Sequence, residues 1–295
     1  MADHMIICFM LISLFAFVVQ ASLVSTGNFN EDFHINWSPD HVNTSTDGHS
    51  TTLKLDYSSG SGIGSNNKFI FGQYDMQIKL APAVYSADVC VTFYLQSEDG
   101  ATRDEIDFEF LGHVTGQPWT LQTNVYTNGH GEREQRIYLW FDPTEDFHIY
   151  SILWNIHQLV FMVDWKPIRV FENLVNEGGQ YPTVRPMDLM ASIWNANWTT
   201  GGGDINWSYA PFVASYKDYK IDACVCNNGC DINVCSAVSE TNWWNKDEFK
   251  SLTEMQRAEL KWVRENVLNY DYCQDIPRLM KSFGTIPREC SLPKL

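Results

Sequence analysis

Between about residue 28 and residue 222, apolar and polar residues alternate in short runs that end in turn residues. Alternation with a period of two is typical of strands that bury one face of a sheet. The runs are TTLKLDYSS, FGQYDMQIKLA, VTFYLQS, EIDFEFLG, TLQTNVYTNG, EQRIYLWFD, HIYSILWN, LVFMVDW and PFVASYKDYKID. The Asn-Gly pair at 128–129 and the Gly-Gly pair at 178–179 favour turns. Because no helical repeat separates the runs, the pattern predicts an all-β antiparallel sandwich.

The pattern changes after residue 222. In SLTEMQRAELKWVRENV, apolar residues fall near the spacing of one helix face: Leu252, Met255, Leu260 and Val263. Thr253 and Gln256 stand three residues apart, as in a capping box. We therefore expect a β-sandwich domain at 22–222 and a short C-terminal extension with a helix at 223–295.

The N-terminal segment carries the apolar run IICFMLISLFAFVV at 6–19. This run is short for a membrane span and long enough for the core of a secretory signal. Val19 and Ala21 supply small side chains for cleavage after Ala21, although no Lys or Arg precedes the run. We expect a signal peptide at 1–21, secretion, and no membrane attachment after its removal; the alternative is a membrane anchor.

Cysteines and glycosylation sequences agree with secretion. Of eight cysteines, six follow residue 223, which favours disulfides in an oxidising compartment. A zinc site is the alternative, but paired C-x2-C motifs are missing. Cys90 lies in an apolar strand and is expected to be a buried free thiol. Four Asn-x-Ser/Thr sequences could carry glycans: Asn36, Asn43, Asn197 and Asn206.

The charge of the chain argues against one class of partner. The formal net charge is −16, and an acidic chain repels phosphate backbones, so we expect no nucleic-acid partner. A structural wall protein is disfavoured because repeats and Pro-rich segments are missing. We also expect no metal ion and no cofactor.

The stretch RDEIDFEFLGH contains the candidate chemistry. In a strand, Glu105, Asp107 and Glu109 share one face. The alternate positions, which would anchor the strand in the core, are Ile106, Phe108 and Phe110. Adjacent carboxylates repel one another, which raises at least one pKa. A glycosidase requires such coupling, because one carboxylate attacks in its ionised form while another donates a proton.

Two other uses of these acids remain open: a solvated acidic face and a calcium site. No Lys or Arg interrupts the acidic face, and calcium loops need turns and backbone carbonyls that a regular strand lacks. Positions i and i+4 of a flat strand lie ~13 Å apart. Retaining glycosidases need carboxyl groups about 5 to 5.5 Å apart and inverting enzymes about 6.5 to 9.5 Å. The residues alone therefore leave the stereochemical outcome open.

DEIDFEFLG resembles the E-x-D-x-E signature of the xyloglucan endotransglucosylase/hydrolases, plant cell-wall members of glycoside hydrolase family 16. The resemblance extends over almost the whole mature chain, through SGSGIGSNNKFIFGQYDMQIKL, QTNVYTNGHGEREQRIYLWFDPT, SILWN, PFVASYKDYKIDAC and the tail WWNKDEF, WVRENVLNYDYC and PREC. It implies a curved jelly-roll sandwich with a long open cleft. It also implies retention through a covalent glycosyl-enzyme, with Glu105 as nucleophile, Glu109 as general acid/base and Asp107 assisting the nucleophile.

The resemblance also implies sugar-binding residues and disulfides. The implied substrate contacts are Tyr94, Gln122, Asn124, Arg136, Trp194, Trp198 and Arg264. Each Trp taken alone could equally pack in the core; the irregular polar stretch around Trp194 and Trp198 favours exposure. The implied disulfides are Cys224–Cys235 and Cys273–Cys290, whereas the pairing of Cys226 and Cys230 stays open.

The chain departs from the family pattern at a few positions. Arg103 replaces the usual His, His113 replaces the usual Asn, and the segment 198–207 is shorter, with Gly201 where Arg is common. Cys226 and Cys230 are additional cysteines.

The resemblance implies a monomeric enzyme that cleaves the β-1,4-glucan backbone of xyloglucan. Its partners would be xyloglucan polysaccharide and oligosaccharide acceptors, to which it would transfer the cleaved fragment in the cell wall. The shortened segment favours transfer, because the hydrolytic members of the family are associated with a longer loop. The alternatives are an endo-hydrolase that uses water and, from another class, a non-catalytic glucan-binding sandwich.

Overall fold

Antiparallel strands dominate the computed structural model, which describes residues 22–82, 84–98, 100–199, 203–227 and 230–292. The expected signal peptide at 1–21 lies outside these residues. The strands are β1 (Ser22–Thr26), β2 (Phe33–Trp37), β3 (Val42–Thr44), β4 (Ser50–Leu55), β5 (Ser61–Lys79), β6 (Val89–Gln96), β7 (Glu105–Leu111), β8 (Thr120–Tyr126), β9 (Gln135–Tyr138), β10 (His148–Trp154), β11 (Gln158–Val163), β12 (Lys166–Glu172), β13 (Met187–Asn195), β14 (Phe212–Val225) and β15 (Leu268–Asp271). The α-helices are α1 (Phe29–Asp32), α2 (Ile232–Ser236), α3 (Glu254–Asn266) and α4 (Ile276–Phe283).

The strands form two layers that share β5. The first half of β5 pairs with β2 and β13, and the order continues through β6, β7, β8, β9 and β15; we call this layer the front sheet. The second half of β5 pairs with β10 and β14, next to β11, β12, β4, β3 and β1, in the back sheet. The strand changes layers at Phe71 and Gly72, whose φ angles are 59° and 138°. A Cβ on Gly72 would lie 2.4 Å from the Cβ of Ala223, so only glycine fits here.

The hydrophobic core lies between the two layers. Phe108 on β7 contacts Phe161 on β11 with ring centroids 5.2 Å apart. Phe110 likewise meets Tyr150 on β10 at 4.7 Å, and Ile106 is also fully buried. The predicted sandwich is confirmed, as is the prediction that these three residues anchor the strand. Each such aromatic burial contributes about 1.5–3 kcal/mol.

Every predicted run contains a strand, but the pattern missed other strands. The first half of β5 reads SGIGSNNK, which is rich in glycine and polar residues and has low strand propensity. β12 carries Pro167 near its start, a position that weakens a strand prediction. β13 and the edge strands β1 to β3 were also missed. The predicted turn at 128–129 is present, with φ values of 51° and 78°.

The C-terminal extension packs against the sandwich. β14 continues through the expected boundary at residue 222 to Val225. α3 lies against β12 and begins with the predicted capping box of Thr253 and Gln256. Leu260 and Val263 are buried, whereas Met255 is 72% exposed. The helix is therefore confirmed, but the placement of Met255 on its buried face was wrong, because Met255 lies on the side of the helix that carries Glu259 and Trp262.

One disulfide joins the sandwich to the extension, from Cys224 on β14 to Cys235 on α2, and the other two lie within the extension. The structure contains Cys224–Cys235 and Cys273–Cys290, the two implied pairs, and also Cys226–Cys230. Cys90 is a buried free thiol, as expected. The helices in the described part of the chain are all too short or too polar to cross a membrane.

Candidate active site

The outer face of the front sheet carries a row of polar side chains centred on β7. β7 lies between β6 and β8, and the register sets the neighbours of each carboxylate. Glu105 is opposite Gln96 and Tyr126, Asp107 is opposite Tyr94 and Asn124, and Glu109 is opposite Thr92 and Gln122. The period of two thus places three acids on one face, as the sequence predicts.

These acids lie in an open cavity of about 350 Å³. Its lining residues come from β2, β6, β7 and β13 and from the loop before β7: Trp37, Thr92, Tyr94, Gln96, Arg103, Glu105, Asp107, Glu109, Ser192 and Trp194. The lining combines the aromatic rings of Trp37, Tyr94 and Trp194 with hydrogen-bonding side chains. Such a lining suits a sugar, whose ring faces are apolar and whose edges are polar.

Glu105 is held by two donors on the same oxygen. Gln96 Nε2 donates to Glu105 Oε2 at 2.6 Å, and Arg103 Nε donates to the same oxygen at 2.8 Å. Donors of this kind stabilise the ionised carboxylate. The arrangement can therefore supply a negatively charged, oriented oxygen inside the cavity.

Asp107 is buried between its two acidic neighbours. Burial raises its pKa well above the ordinary value, and the negative charges of Glu105 and Glu109 raise it further. A hydrogen bond links the carboxyl groups of Asp107 and Glu105. The raised pKa favours the protonated form of Asp107, which makes it the donor in that bond.

Glu109 is held by a relay of two side chains. Gln122 Nε2 donates to Glu109 Oε2 at 2.5 Å, and Arg136 Nε donates to Gln122 Oε1 at 2.6 Å. Burial raises the pKa of Glu109 to about 7, the nearby charge of Glu105 adds to the shift, and the bond from Gln122 opposes it. Glu109 can therefore hold a proton near neutral pH and release it to a reacting group.

The other predicted substrate contacts occupy different parts of the site. Tyr94 and Trp194 line the cavity. Trp198 is 47% exposed, and its ring lies 6.1 Å from that of Trp194. Gln122 and Arg136 act on Glu109 as described, whereas Asn124 is buried and accepts bonds from the backbone of Val125 and Arg133.

Arg264 is not brought together with these residues. It lines a separate cavity of about 440 Å³ between the sandwich and the extension, with Gln135, Arg169 and Asp271. Gln135 and Asp271 alternate along their strands with Arg136 and Tyr270, so they project from the opposite side of the sheet. A substrate contact by Arg264 in the open cavity does not fit this location, because α3 packs behind the front sheet.

The sequence assigned no role to five residues that line the cavity: Trp37, Thr92, Gln96, Arg103 and Ser192. Gln96 follows Tyr94 by two positions on β6, so the period of two could have identified it. Trp37 lies on β2, an unpredicted strand, and its ring covers Gly62, where a Cβ would be 2.3 Å away. Arg103 attracted notice only as a departure from the family pattern, and Ser192 gave no signal.

Two further features bear on the sequence predictions. The four candidate glycosylation asparagines, Asn36, Asn43, Asn197 and Asn206, are exposed.

Within the described residues, no group of three or more His, Cys, Asp or Glu side chains is placed to hold a metal ion.

Comparison with known proteins connects this geometry to a family. Residues 29–209 match Glycosyl hydrolases family 16, and residues 238–290 match the xyloglucan endo-transglycosylase C-terminus. The chain is 55% identical over 285 residues to the probable xyloglucan endotransglucosylase/hydrolase protein 10 of Arabidopsis thaliana, covering 96% of this chain and 93% of the relative. It is 44% identical to xyloglucan endotransglucosylase protein 34 of Populus tremula x Populus tremuloides, covering 89% and 87%. The fold is similar to that of Bacillus licheniformis beta-glucanase, with a TM-score of 0.56, 24% identity and coverage of 69% of this chain and 98% of the other.

Proposed function

The chain belongs to family 16 of the glycosyl hydrolases, and on that premise we propose that it cleaves the β-1,4-glucan backbone of xyloglucan and transfers the fragment to another xyloglucan chain. The observation that carries the proposal is the division of roles on β7. Glu105 is held by charged and neutral donors, while the pKa of Glu109 is raised to about 7 in the same cavity. One carboxyl is thereby prepared to attack and the other to donate a proton.

In the first step, an oxygen of Glu105 forms a bond to the anomeric carbon of the donor glucan. The glycosidic bond breaks, its electron pair stays on the leaving sugar oxygen, and that oxygen takes the proton of Glu109. The product is a covalent glycosyl-enzyme. Asp107 donates a hydrogen bond to Glu105, which orients the carboxyl during attack.

In the second step, a hydroxyl of the acceptor glucan attacks the anomeric carbon from the vacated side. Glu109, now ionised, takes the hydroxyl proton, and the bond from the anomeric carbon to Glu105 breaks with its pair returning to the carboxylate. Two inversions give net retention. Gln122 and Arg136 hold Glu109 in place for both proton transfers.

Aromatic side chains are suited to hold the glucan across the cavity. Trp194 and Tyr94 line it, Trp37 forms part of its edge, and Trp198 extends the aromatic surface outward. Stacking on apolar ring faces favours a polysaccharide over a small charged substrate.

Hydrolysis is the second candidate, with water as the acceptor in the second step. The name of the Arabidopsis thaliana relative includes both activities. We favour transfer because the 198–207 segment is short, as in the transferring members of the family.

The setting that fits this activity is the plant cell wall. Relatives named for xyloglucan, three disulfides and four exposed glycosylation sequences support a secreted protein.

The test uses purified protein, xyloglucan and a fluorescent xyloglucan oligosaccharide. We expect label to enter long chains, with little gain of reducing ends, and we expect Glu105→Gln to abolish both signals. Reducing-end gain without label transfer would assign the hydrolase instead. Full activity of Glu105→Gln would contradict the enzymatic mechanism.

A further inference from the structure

Arg103 lies beside Glu105 at the edge of the open cavity. Its Nε donates to Oε2 of Glu105 at 2.8 Å, and its guanidinium carbon is 4.7 Å from the ring centroid of Tyr126. Tyr126 stands opposite Glu105 across β7 and β8. The stack and the hydrogen bond together hold a planar cation over one side of the carboxylate.

The contact with Arg103 brings a positive charge into a cavity that otherwise contains acidic and uncharged side chains. Asp107 and Glu109 supply carboxyl groups from the same strand, and β6 supplies the uncharged Gln96 and Tyr94. Among the described residues that line this cavity, Arg103 is the single Lys or Arg. The side chain of Glu105 is only 14% exposed and that of Arg103 is 32% exposed, so water only partly screens their attraction.

The ion pair exists only while Glu105 is charged. In the glycosyl-enzyme, Glu105 is an ester and carries no charge, so the attraction to Arg103 is largely lost. It returns when the bond between the anomeric carbon and Glu105 breaks and the electron pair goes back to the carboxylate. A cation that favours the carboxylate over the ester lowers the barrier to breakdown of the glycosyl-enzyme.

We propose that Arg103 is a positioning residue that stabilises Glu105 as the leaving group, so that the glycosyl-enzyme breaks down faster than it would without this side chain. The inference rests on the proposed function, in which Glu105 is the nucleophile. It assigns to Arg103 a role in the second step, when the acceptor attacks. Gln96 binds the same oxygen without a charge, so it orients the carboxylate but discriminates less between carboxylate and ester.

The experiment measures how much enzyme carries the donor sugar at steady state. The full chain is mixed with a xyloglucan oligosaccharide of defined mass as donor and a second oligosaccharide as acceptor, quenched in acid, and examined by intact mass and peptide mapping. For Arg103→Gln we expect the ratio of glycosyl-enzyme to free enzyme to rise about 3- to 10-fold, the range for a partly exposed charged pair. We expect kcat to fall by a similar factor while kcat/KM for the donor changes less.

Two variants separate charge from packing. Arg103→Lys keeps the charge, so its ratio should lie between those of the parent and Arg103→Gln. Arg185→Gln is the matched control, because Arg185 pairs with the buried Asp104, one residue before the strand, and does not line the open cavity. We expect it to lower the melting temperature without changing the ratio.

The outcomes distinguish this inference from the proposed function. An unchanged ratio in Arg103→Gln, with sugar still attached to Glu105, would overturn the role of Arg103 alone. A ratio in Arg103→Lys as high as in Arg103→Gln would also overturn it, because charge would then not be the cause. Absence of any adduct in the parent, with full activity of Glu105→Gln, would overturn the proposed function itself.

Discussion

Two groups of acids in this molecule meet opposite surroundings. In the open cavity, Glu105, Asp107 and Glu109 share one strand face, and burial with mutual repulsion raises the pKa values of Asp107 and Glu109. Beneath the C-terminal extension, acids instead meet arginines; we call this region the extension interface. Its pairs are Arg133 with Glu289, Arg278 with Glu132 and Arg278 with Glu134.

The difference shows that acidic residues can be placed for proton transfer in the open cavity and can hold the C-terminal extension to the sandwich at the extension interface. At the extension interface, partial burial alone would raise the pKa of Glu132, but Arg278 brings it below the ordinary value. Arg133 also donates to the backbone of His130 at 2.6 Å and to Gln180 at 2.8 Å. These pairs join the loop between β8 and β9 to α4 and to the residues that follow it. In the open cavity, burial and mutual repulsion outweigh the favourable contacts of Asp107 and Glu109, so their pKa values rise and favour the protonated form.

The largest expected effect follows from removing the proton donor of the cavity. Glu109→Gln should reduce transfer by roughly 10²- to 10⁴-fold, the range for loss of a general acid/base. In the parent, the raised pKa of about 7 keeps Glu109 protonated below that pH. Transfer should therefore fall as the pH rises through about 7. A pH profile of label transfer checks both statements, and a profile that is flat from pH 6 to 8 would contradict the assignment.

The same variant should change the pH dependence of stability. The ordinary pKa of Glu109 is 4.5 and its folded value is about 7, so the folded chain binds more protons between these values. Stability from this group is present below about 4.5 and is lost as the pH rises to about 7. Glu109→Gln has no proton to lose, so its melting temperature should rise relative to the parent across this window. Melting curves at pH 4.5 and 8 test this; a constant difference would count against a protonated Glu109.

The next effect belongs to the extension interface. Arg133→Met should lower the free energy of unfolding by about 3–5 kcal/mol, because it leaves the charge of Glu289 largely buried without its ion partner; the two side chains are 2% and 10% exposed. Urea unfolding measures the loss. Adding Glu289→Leu should restore part of it by removing the unpaired charge.

A surface pair supplies the control for that prediction. Lys261 and Glu265 are four residues apart on α3 and more than half exposed, so Lys261→Met should cost no more than about 0.5 kcal/mol. Equal losses for Arg133→Met and Lys261→Met would show that burial does not govern the strength of the interface pairs.

The smallest effect concerns the middle acid of the strand. Asp107→Asn keeps a donor toward Glu105, so transfer should fall by less than about tenfold. Asp107→Ala removes the donor, and the loss of a hydrogen bond to a charged group predicts a fall of about 10- to 100-fold. Initial rates of label transfer compare the two variants. Equal losses would mean that Asp107 does not act as a donor.

The sequence predicted the sandwich and the acidic face because both depend on local geometry. In a strand the side chains alternate between faces, so the order of residues alone separates Glu105, Asp107 and Glu109 from Ile106, Phe108 and Phe110. Resemblance to a family added the jelly roll and the expected roles. The strands that were missed, such as the first half of β5, have weak local propensity and form because neighbouring strands supply their hydrogen bonds.

Tertiary structure decided what surrounds each charge. Arg264 was expected at the substrate but lies behind the front sheet, because α3 packs on β12. Glu109 and Glu132 are the same residue type with opposite pKa shifts, and no local pattern distinguishes them. Burial and distant partners set those shifts: Gln122 from β8 and Arg278 from α4 reach these acids only in the folded chain. The order of residues alone determined that three acids share one face of β7, and the folded structure raised the pKa values of Asp107 and Glu109 by burying them.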